Sequence, residues 1–505
     1  MQTLKKSLWI FSLVLFLSLM GFFGGWISGE SRSSADEISL SEDSYESLRP
    51  LIQSMSLIRN NYVDEEKIKQ KDLVYGAIKG MVDELDPYSQ FMDPQSFKDM
   101  KQATRGAFGG LGIKIAIRDD QLVVVSPIDG TPADRGRLKP RDKIMKIDGE
   151  STEGIDIMDA VHKMRGKKGT ECVLTIRRPG VEEWFDVSII RDIIRIQSVR
   201  YEMLEGDIGY VRVTEFVENT TEDFGRALQE LEKRDMQGLI LDLRNNPGGL
   251  LNKAAEIAEY FVPQGKLLVY TEGRNQAQNM RFFSTAQKHY RTGPLAVLVN
   301  QGSASASEIV AGAIQDWKLG VVVGTQTFGK GSVQTIIPLN DGSALRITTA
   351  RYLTPKGQLI HGNGITPDLF AETFRPNAFS QELIKERRFE EFARFYLKLN
   401  PRGEPDLEEG EVRRVKVSEA SWEKLKPKTR DQLLEETFVK WLKEQHITYS
   451  EAELIEDRDL LLNRIRQEIA LIHEGSDASR SVQLRGDPQI QRARDAINIA
   501  QRYRP

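Results

Sequence analysis

The chain has 505 residues, 40% hydrophobic and 29% charged, enough apolar material for buried cores and too long for one ordinary domain. Lys+Arg 70 against Asp+Glu 74 leaves a net charge of −4, a balance that argues against a dedicated nucleic-acid binder. The single cysteine, Cys172, excludes an intramolecular disulfide framework and any Cys-based zinc site.

Leu8 to Ile27 form an uncharged run of twenty residues, the length a helix needs to cross a bilayer core. Lys5 and Lys6 before it, with Glu30, Asp36 and Glu37 after it, favour an inside N-terminus. The run reads either as a cleaved signal peptide, with Ser33-Ser34-Ala35 as a small-residue cleavage site, or as an uncleaved membrane anchor. Both readings put the rest of the chain outside the cytoplasm, in the periplasm or cell envelope. A lone cysteine suits such an oxidising compartment.

Residues 30–45 are rich in serine and acid and read as a linker. From about Tyr45 to Met100 the pattern is helical, with Leu51, Met55, Ile58 and Tyr62 at helical spacings. Asp86-Pro87-Tyr88-Ser89 and Asp93-Pro94 then mark turns. From Gly106 the texture changes to short β-branched runs broken by glycine, with one helix predicted over Ile157 to Met164. Between roughly 192 and 370, strand-like GLILDLR, LAVLVN and LGVVVG alternate with helix-like LLNKAAEIAEYF and SASEIVAGAIQDW, which argues α/β with crossover helices. Beyond Phe374 the chain is charged and helical. The expected organisation is an address (1–35), a helical region (36–103), a small β-rich domain (104–190), an α/β domain (191–375) and a mostly helical C-terminal region (376–505).

The small domain opens with Gly109-Gly110-Leu111-Gly112-Ile113 directly before a strand. Glycines let successive N–H groups converge on a carboxylate, and a strand edge can pair with an extended peptide. Pro132 to Leu138 follow, then Asp142 to Gly149, a helix and the strand Cys172 to Arg177. This order resembles a PDZ domain, with Gly110, Leu111, Gly112 and Ile113 on the carboxylate-binding loop. Arg141 stands where such domains usually carry glycine. The resemblance implies binding of peptides with a free C-terminus and an apolar last residue.

Five histidines are scattered, and neither an H-E-x-x-H pair nor a G-x-S-x-G elbow is present. Gly324 to Gly331 nearly matches a phosphate loop, but Gly331 replaces the magnesium-binding hydroxyl, and SVQTIIPL reads as strand where a helix is needed. Serine chemistry with a lysine base remains. Asn300-Gln301-Gly302-Ser303-Ala304-Ser305-Ala306-Ser307-Glu308 leads from a strand into an apolar helix, whose unpaired N–H groups could hold an oxyanion. Ser305-x-x-Glu308 equally fits a capping box, and spacing does not choose among the three serines. Lys330, amid glycines and apolar groups, could serve as base only if its pKa is lowered. In an extended segment Gln334 faces the same side as Lys330. Leu241 to Leu250, LDLRNNPGGL, is a strand ending in a glycine turn whose N–H groups could complete an oxyanion site.

The order of PDZ, DLRNNPGG, SASASE, FGKGSVQ and His361-Gly362-Asn363-Gly364-Ile365-Thr366-Pro367-Asp368 closely resembles the carboxyl-terminal processing (tail-specific) protease family. Leu85-Asp86-Pro87-Tyr88-Ser89 fits it too, and the resemblance covers roughly residues 50–370. It implies Ser305 as nucleophile, Lys330, 25 residues on, as general base, and Gln334 as the residue positioning the lysine. It also implies an oxyanion hole from the backbone N–H groups of Ala306 and Gly248 or Gly249. No metal or cofactor is called for. The implied activity is serine endopeptidase cleavage of proteins near their C-termini; the alternatives are a catalytically silent PDZ adaptor, or a hydrolase or acyltransferase of other specificity. For 376–505, where Trp422, Leu425, Leu433, Phe438 and Trp441 suggest helices with a buried side, dimerisation, capping of the active site and partner docking all stay open.

Overall fold

The computed structural model describes residues 42–400 and 430–502, except 119, 129, 286–289 and 291–292. The run Leu8 to Ile27, Trp422 and Leu425 lie outside the described residues. Among those that are described, no helix is long and apolar enough to cross a membrane.

Six strands build the central sheet in the order Val199–Leu204, Ile208–Val213, Gly238–Asp242, Leu295–Val299, Val321–Gly324 and Leu369–Phe370. The first pair is antiparallel and all later pairs are parallel. Gly238–Asp242 and Leu295–Val299 are buried at every position, as parallel strands covered on both faces must be. The two-residue period sorts their side chains between two cores. Leu239, Leu241, Val297 and Val299 share one core with Phe224, Ile257 and Ile309 of the helices Thr220–Glu232, Leu251–Ala258 and Ala306–Asp316. Ile240, Ala296 and Leu298 point the other way, onto Ile490, Ala493 and Ile497 of the last helix, Pro488–Arg502.

Arg244 locks that last helix to the sheet. Its guanidinium grips buried Asp242 through two bonds of 2.9 and 2.7 Å, and reaches Asp487 at 2.6 Å and Gln489 at 2.9 Å. Burial pushes the Asp242 carboxyl up, but the charge and hydrogen bonds of Arg244 outweigh it and hold the group below its ordinary value. The C-terminal region therefore feeds two cores. Its earlier helices, Ala378–Lys385, Arg388–Leu399, Arg430–Glu444 and Arg458–His473, enclose their own, where Phe392 meets Phe438 and Trp441 edge-on at 4.9 and 5.5 Å.

A second, antiparallel sheet joins Leu267–Gly273, Arg281–Phe283, Ser332–Pro338 and Ala344–Leu353. Its fifth strand, Gln90–Met92, departs from the helical reading of 36–103. Phe91 and Met92 are both buried, and the prolines at 87 and 94 leave too few residues between them for a helix. Around this strand the helices Glu42–Asn61, Gln70–Asp83 and Pro94–Thr104 form as expected, although Leu51, Ile58 and Tyr62 are exposed rather than core.

The PDZ-like region contains an antiparallel sheet and the helix Ile157–Met164, at the predicted bounds and capped by Asp156. Cys172 lies fully buried in its core, and burial pushes the thiol up to about 11. A two-stranded ladder, Ala107–Gly110 with Asp192–Arg195, joins the region's two ends to the rest of the chain.

The docking of the last helix is directly testable. Ile490→Ala deletes a side chain 1% exposed and should cost about 2–5 kcal/mol through lost burial and a cavity. Chemical denaturation with a midpoint unchanged from wild type would show that this helix does not belong to the sheet's core.

Candidate active site

Two turns at the carboxyl ends of neighbouring parallel strands are stitched together. Asn300 Oδ1 accepts the Asn245 N–H at 2.9 Å, and the Asn246 carbonyl accepts the Ala304 N–H at 3.0 Å and the Ser307 hydroxyl at 2.9 Å. Ser303 Oγ donates to the Leu243 carbonyl at 2.8 Å and accepts the Asn300 N–H at 2.9 Å. Of the three serines that spacing left undecided, Ser303 and Ser307 thus spend their hydroxyls on the backbone. Ser305 does not: its Oγ is buried with no hydrogen-bond partner among the described residues.

Ser305 caps the helix Ala306–Asp316 with φ 55° and ψ −111°, a conformation that costs a side-chain-bearing residue about 1–3 kcal/mol. Such strain at a sharp strand-to-helix turn projects a serine hydroxyl out of the backbone, here without the G-x-S-x-G motif. Gly248 makes room for the turn: a Cβ there would stand 3.0 Å from Ser305 Cβ and 3.1 Å from the Ala306 nitrogen. The Glu308 side of the expected capping box is made. The Glu308 carboxylate accepts the Ser305 N–H at 2.7 Å, while the Glu308 N–H turns to the Ser305 carbonyl at 2.8 Å.

Lys330 lies in the loop before Ser332–Pro338, a strand as read from SVQTIIPL, so the phosphate-loop near-match has no helix to complete it. The loop is pinned to the serine turn, since Phe328 N–H donates to the Ser303 carbonyl at 3.0 Å. The HGNGITPD segment braces it from the far side, Gly362 N–H donating to the Gly329 carbonyl at 2.9 Å. Lys330 is 6% exposed, and its Nζ sits 4.5 Å from the Tyr88 ring centroid. Burial first, and then the Arg346 guanidinium, push the amine down to about 8; Asp86 and Glu308 pull the other way.

Tyr88, Asp86 and Arg346 are the residues that sequence reasoning missed in this role. Asp86 folds its own turn by accepting the Tyr88 and Ser89 N–H groups at 2.8 and 2.9 Å, and Arg346 donates to the Tyr88 carbonyl at 3.3 Å. The neighbouring strand pairing, Gln90–Met92 against Ala344–Arg346, carries that turn to the lysine. The Asp86-Pro87-Tyr88-Ser89 turn was the available signal; nothing in ALRITTARYL marks Arg346.

Lys330 and Gln334 do not lie on one plain extended segment: the lysine precedes the strand, and a bulge between Val333 and Gln334 shifts the register. The Gln334 amide nitrogen donates to Thr348 at 2.8 Å and Ser332 at 3.3 Å, and its buried Oε1 has no partner among the described residues. Among the oxyanion candidates, the Gly248 N–H is already taken by Asn246 Oδ1 at 2.9 Å. The Gly249 bridge to Phe216 uses the Gly248 carbonyl and the Leu250 N–H, leaving the Gly249 N–H out of both bonds. Ala306 and Gly249 are therefore the pair that remains.

In the PDZ-like loop, Gly112 adopts φ 80° and its carbonyl accepts from Ile128 and Thr131, while the Leu111 carbonyl accepts from Ala133. The N–H groups of Leu111 and Gly112 take no part in these bonds. Leu111 is 2% exposed, so it offers the loop its backbone while its side chain fills the domain core alongside Ile113. Arg141 takes the glycine position with φ 74° and donates to Glu390 of the helix Arg388–Leu399. Among the described residues no cluster of His, Cys, Asp and Glu could hold a metal ion.

The arrangement is that of a peptidase carrying a PDZ domain. Residues 207–370 match peptidase family S41, 102–177 match the PDZ domain, and 18–96 match the activating protease CtpB N-terminal domain. The carboxy-terminal-processing protease of Bartonella bacilliformis is 44% identical over 345 residues, 67% of this chain and 78% of that protein. The carboxy-terminal processing protease CtpA of Bacillus subtilis is 37% identical over 372 residues, 73% of this chain and 78% of that one. Among solved structures, a photosystem II D1 C-terminal processing protease is 29% identical with a TM-score of 0.39, covering 64% of this chain and 92% of that one. The chain belongs to the carboxy-terminal processing proteases of peptidase family S41.

The lysine's environment predicts its titration independently of any activity. In a carbon-13 lysine NMR titration Lys330 should deprotonate near 8, well apart from the surface lysines. Arg346→Gln removes a positive neighbour and should move that midpoint upward. Titration of Lys330 together with the bulk lysines would overturn this account of its burial.

Proposed function

We propose that the chain is a serine endopeptidase with Ser305 as nucleophile and Lys330 as general base, acting on proteins with free C-termini. One observation carries the reading: Ser305 alone of the three serines keeps an uncommitted, buried hydroxyl, on a strained turn pinned to the loop of a lysine whose amine is pushed toward neutrality. The neutral amine takes the Ser305 proton as Oγ attacks the peptide carbonyl carbon. The oxyanion is received by the Ala306 and Gly249 N–H groups at the helix N-terminus. Collapse breaks the C–N bond, the lysinium returns its proton to the leaving amine, and a C-terminal fragment departs. Water then cleaves the acyl-enzyme by the same relay. Gln334, whose buried Oε1 has no partner among the described residues, is the acceptor that would steady the ammonium.

Within this reading, Gly110 to Ile113 hold the C-terminal carboxylate of the substrate tail, and an apolar last residue selects it. The apolar run at Leu8 to Ile27 supports a location outside the cytoplasm, secreted or anchored. The names of the relatives, carboxy-terminal processing proteases, support the cleavage position.

Ser305→Ala and Lys330→Ala should each abolish cleavage of an unstructured protein with circular dichroism unchanged, and substantial activity in either would falsify the dyad. Wild-type kcat/KM should climb with pH through an apparent pKa near 8, because only the deprotonated lysine is a base. For the tail, a peptide with an apolar last residue should bind at least tenfold more tightly as the free acid than as the C-terminal amide. Equal affinities by fluorescence anisotropy would remove the carboxylate from recognition.

A further inference from the structure

Glu308 lies three residues beyond Ser305, inside the first turn of its helix, and is completely buried. Four donors converge on its two oxygens. Oε2 accepts the N–H of Ser305 at 2.7 Å and the N–H of Lys330 at 2.9 Å. Oε1 accepts the N–H of Gly329 at 2.7 Å and the hydroxyl of Thr327 at 2.5 Å. The Thr327 oxygen itself accepts the Ile365 N–H at 2.6 Å, so its own proton is directed to Glu308. A carboxylate has about four acceptor sites and no donor; a protonated acid here would carry an O–H with nothing to receive it. The cradle is built for the anion, although burial pushes the carboxyl above its ordinary range.

We infer that Glu308 is a positioning residue for the reaction: its carboxylate bridges the main chain of the nucleophile to the main chain of the base and fixes their separation. The inference rests on the reading of Ser305 and Lys330 as the reacting pair. A capping box alone would need only the Ser305 half of this arrangement. The other three donors belong to the Thr327–Lys330 loop, which has no helix to cap. Each oxygen thereby holds a different end of that loop, and Oε2 holds both partners at once. The bond to Ser305 N–H also acts on the residue whose backbone is strained, so losing it frees the turn to relax. The charged groups facing the lysine are Arg346 on the strand Ala344–Leu353, Asp86 on the N-terminal turn and Glu308 below it, with the Tyr88 ring over the amine.

The test compares Glu308→Gln, Glu308→Asp, Ser305→Ala and Lys330→Ala in the full chain, reading kcat, KM and the pH profile. Glu308→Gln sets an NH₂ against backbone donors and removes the charge. It should lower kcat by about 100-fold with KM nearly unchanged. Its acid limb should move to lower pH, since a negative neighbour that favoured the ammonium is gone. Glu308→Asp keeps the charge but cannot span both loops; it should lose kcat while its acid limb stays at the wild-type position. If the Glu308 variants fail to fold, Thr327→Val serves instead, removing one donor, and should lower kcat several-fold with KM unchanged. Wild-type kcat and an unmoved acid limb in Glu308→Gln, beside inactive Ser305→Ala and Lys330→Ala, would overturn the bridging role and leave the dyad standing. Activity persisting in Ser305→Ala would bring down the dyad itself.

Discussion

A carboxylate sealed from water must find its partners within the protein, because burying it unpaired costs far more than a fold of this size can spare. Glu308 finds them in two loops that leave neighbouring parallel strands of the central sheet, Leu295–Val299 and Val321–Gly324. The serine turn and the lysine loop are each too rich in glycine and small residues to hold a shape of their own. Their shape comes from the shared anion and from the backbone bonds around it. The left-handed Ser305, the free Ser305 hydroxyl and the sheltered Lys330 amine all follow from that arrangement.

The sheet supplies the frame. Parallel strands end at one edge, and the turns that leave this edge carry the asparagines and serines that stitch the site together, as open α/β sheets place their ligand crevices. Behind them the sheet is held rigid from both sides, by three helices on one face and by the last helix on the other. The Arg244 network belongs to this second support: it begins at the end of the strand leading to the glycine turn and finishes on Asp487 and Gln489. A charged pair in a dry setting needs its lone pairs occupied, and Asp242 also accepts the Arg244 N–H at 2.9 Å and the Tyr210 hydroxyl at 2.7 Å.

Much of this was legible in the residues. Local period and composition sufficed for the PDZ-like strands, the helix Ile157–Met164 and the alternation of the central sheet, since burial there follows from strand and helix geometry alone. The motif order pointed to Ser305 and Lys330, and the hydrogen bonds of Ser303 and Ser307 then supplied a physical reason to prefer the middle serine. What could not be read were contacts across long separations. Gln90–Met92 is too short to show a period and becomes a strand only because Leu345 and its neighbours offer an edge. Arg346 looks like any strand arginine until the N-terminal turn is laid beside it. The bulge beside Gln334 and the Asn246 side chain that takes the Gly248 N–H are both details finer than any spacing rule. Glu308 was visible only as a helix cap because its other three partners come from the Thr327–Lys330 loop.

The wall over Lys330 is made by Tyr88, before the PDZ-like region, whereas the lysine follows that region and the back of the sheet is closed by residues near 490. The surroundings of Lys330 are thus closed only where segments from both sides of the PDZ-like region meet.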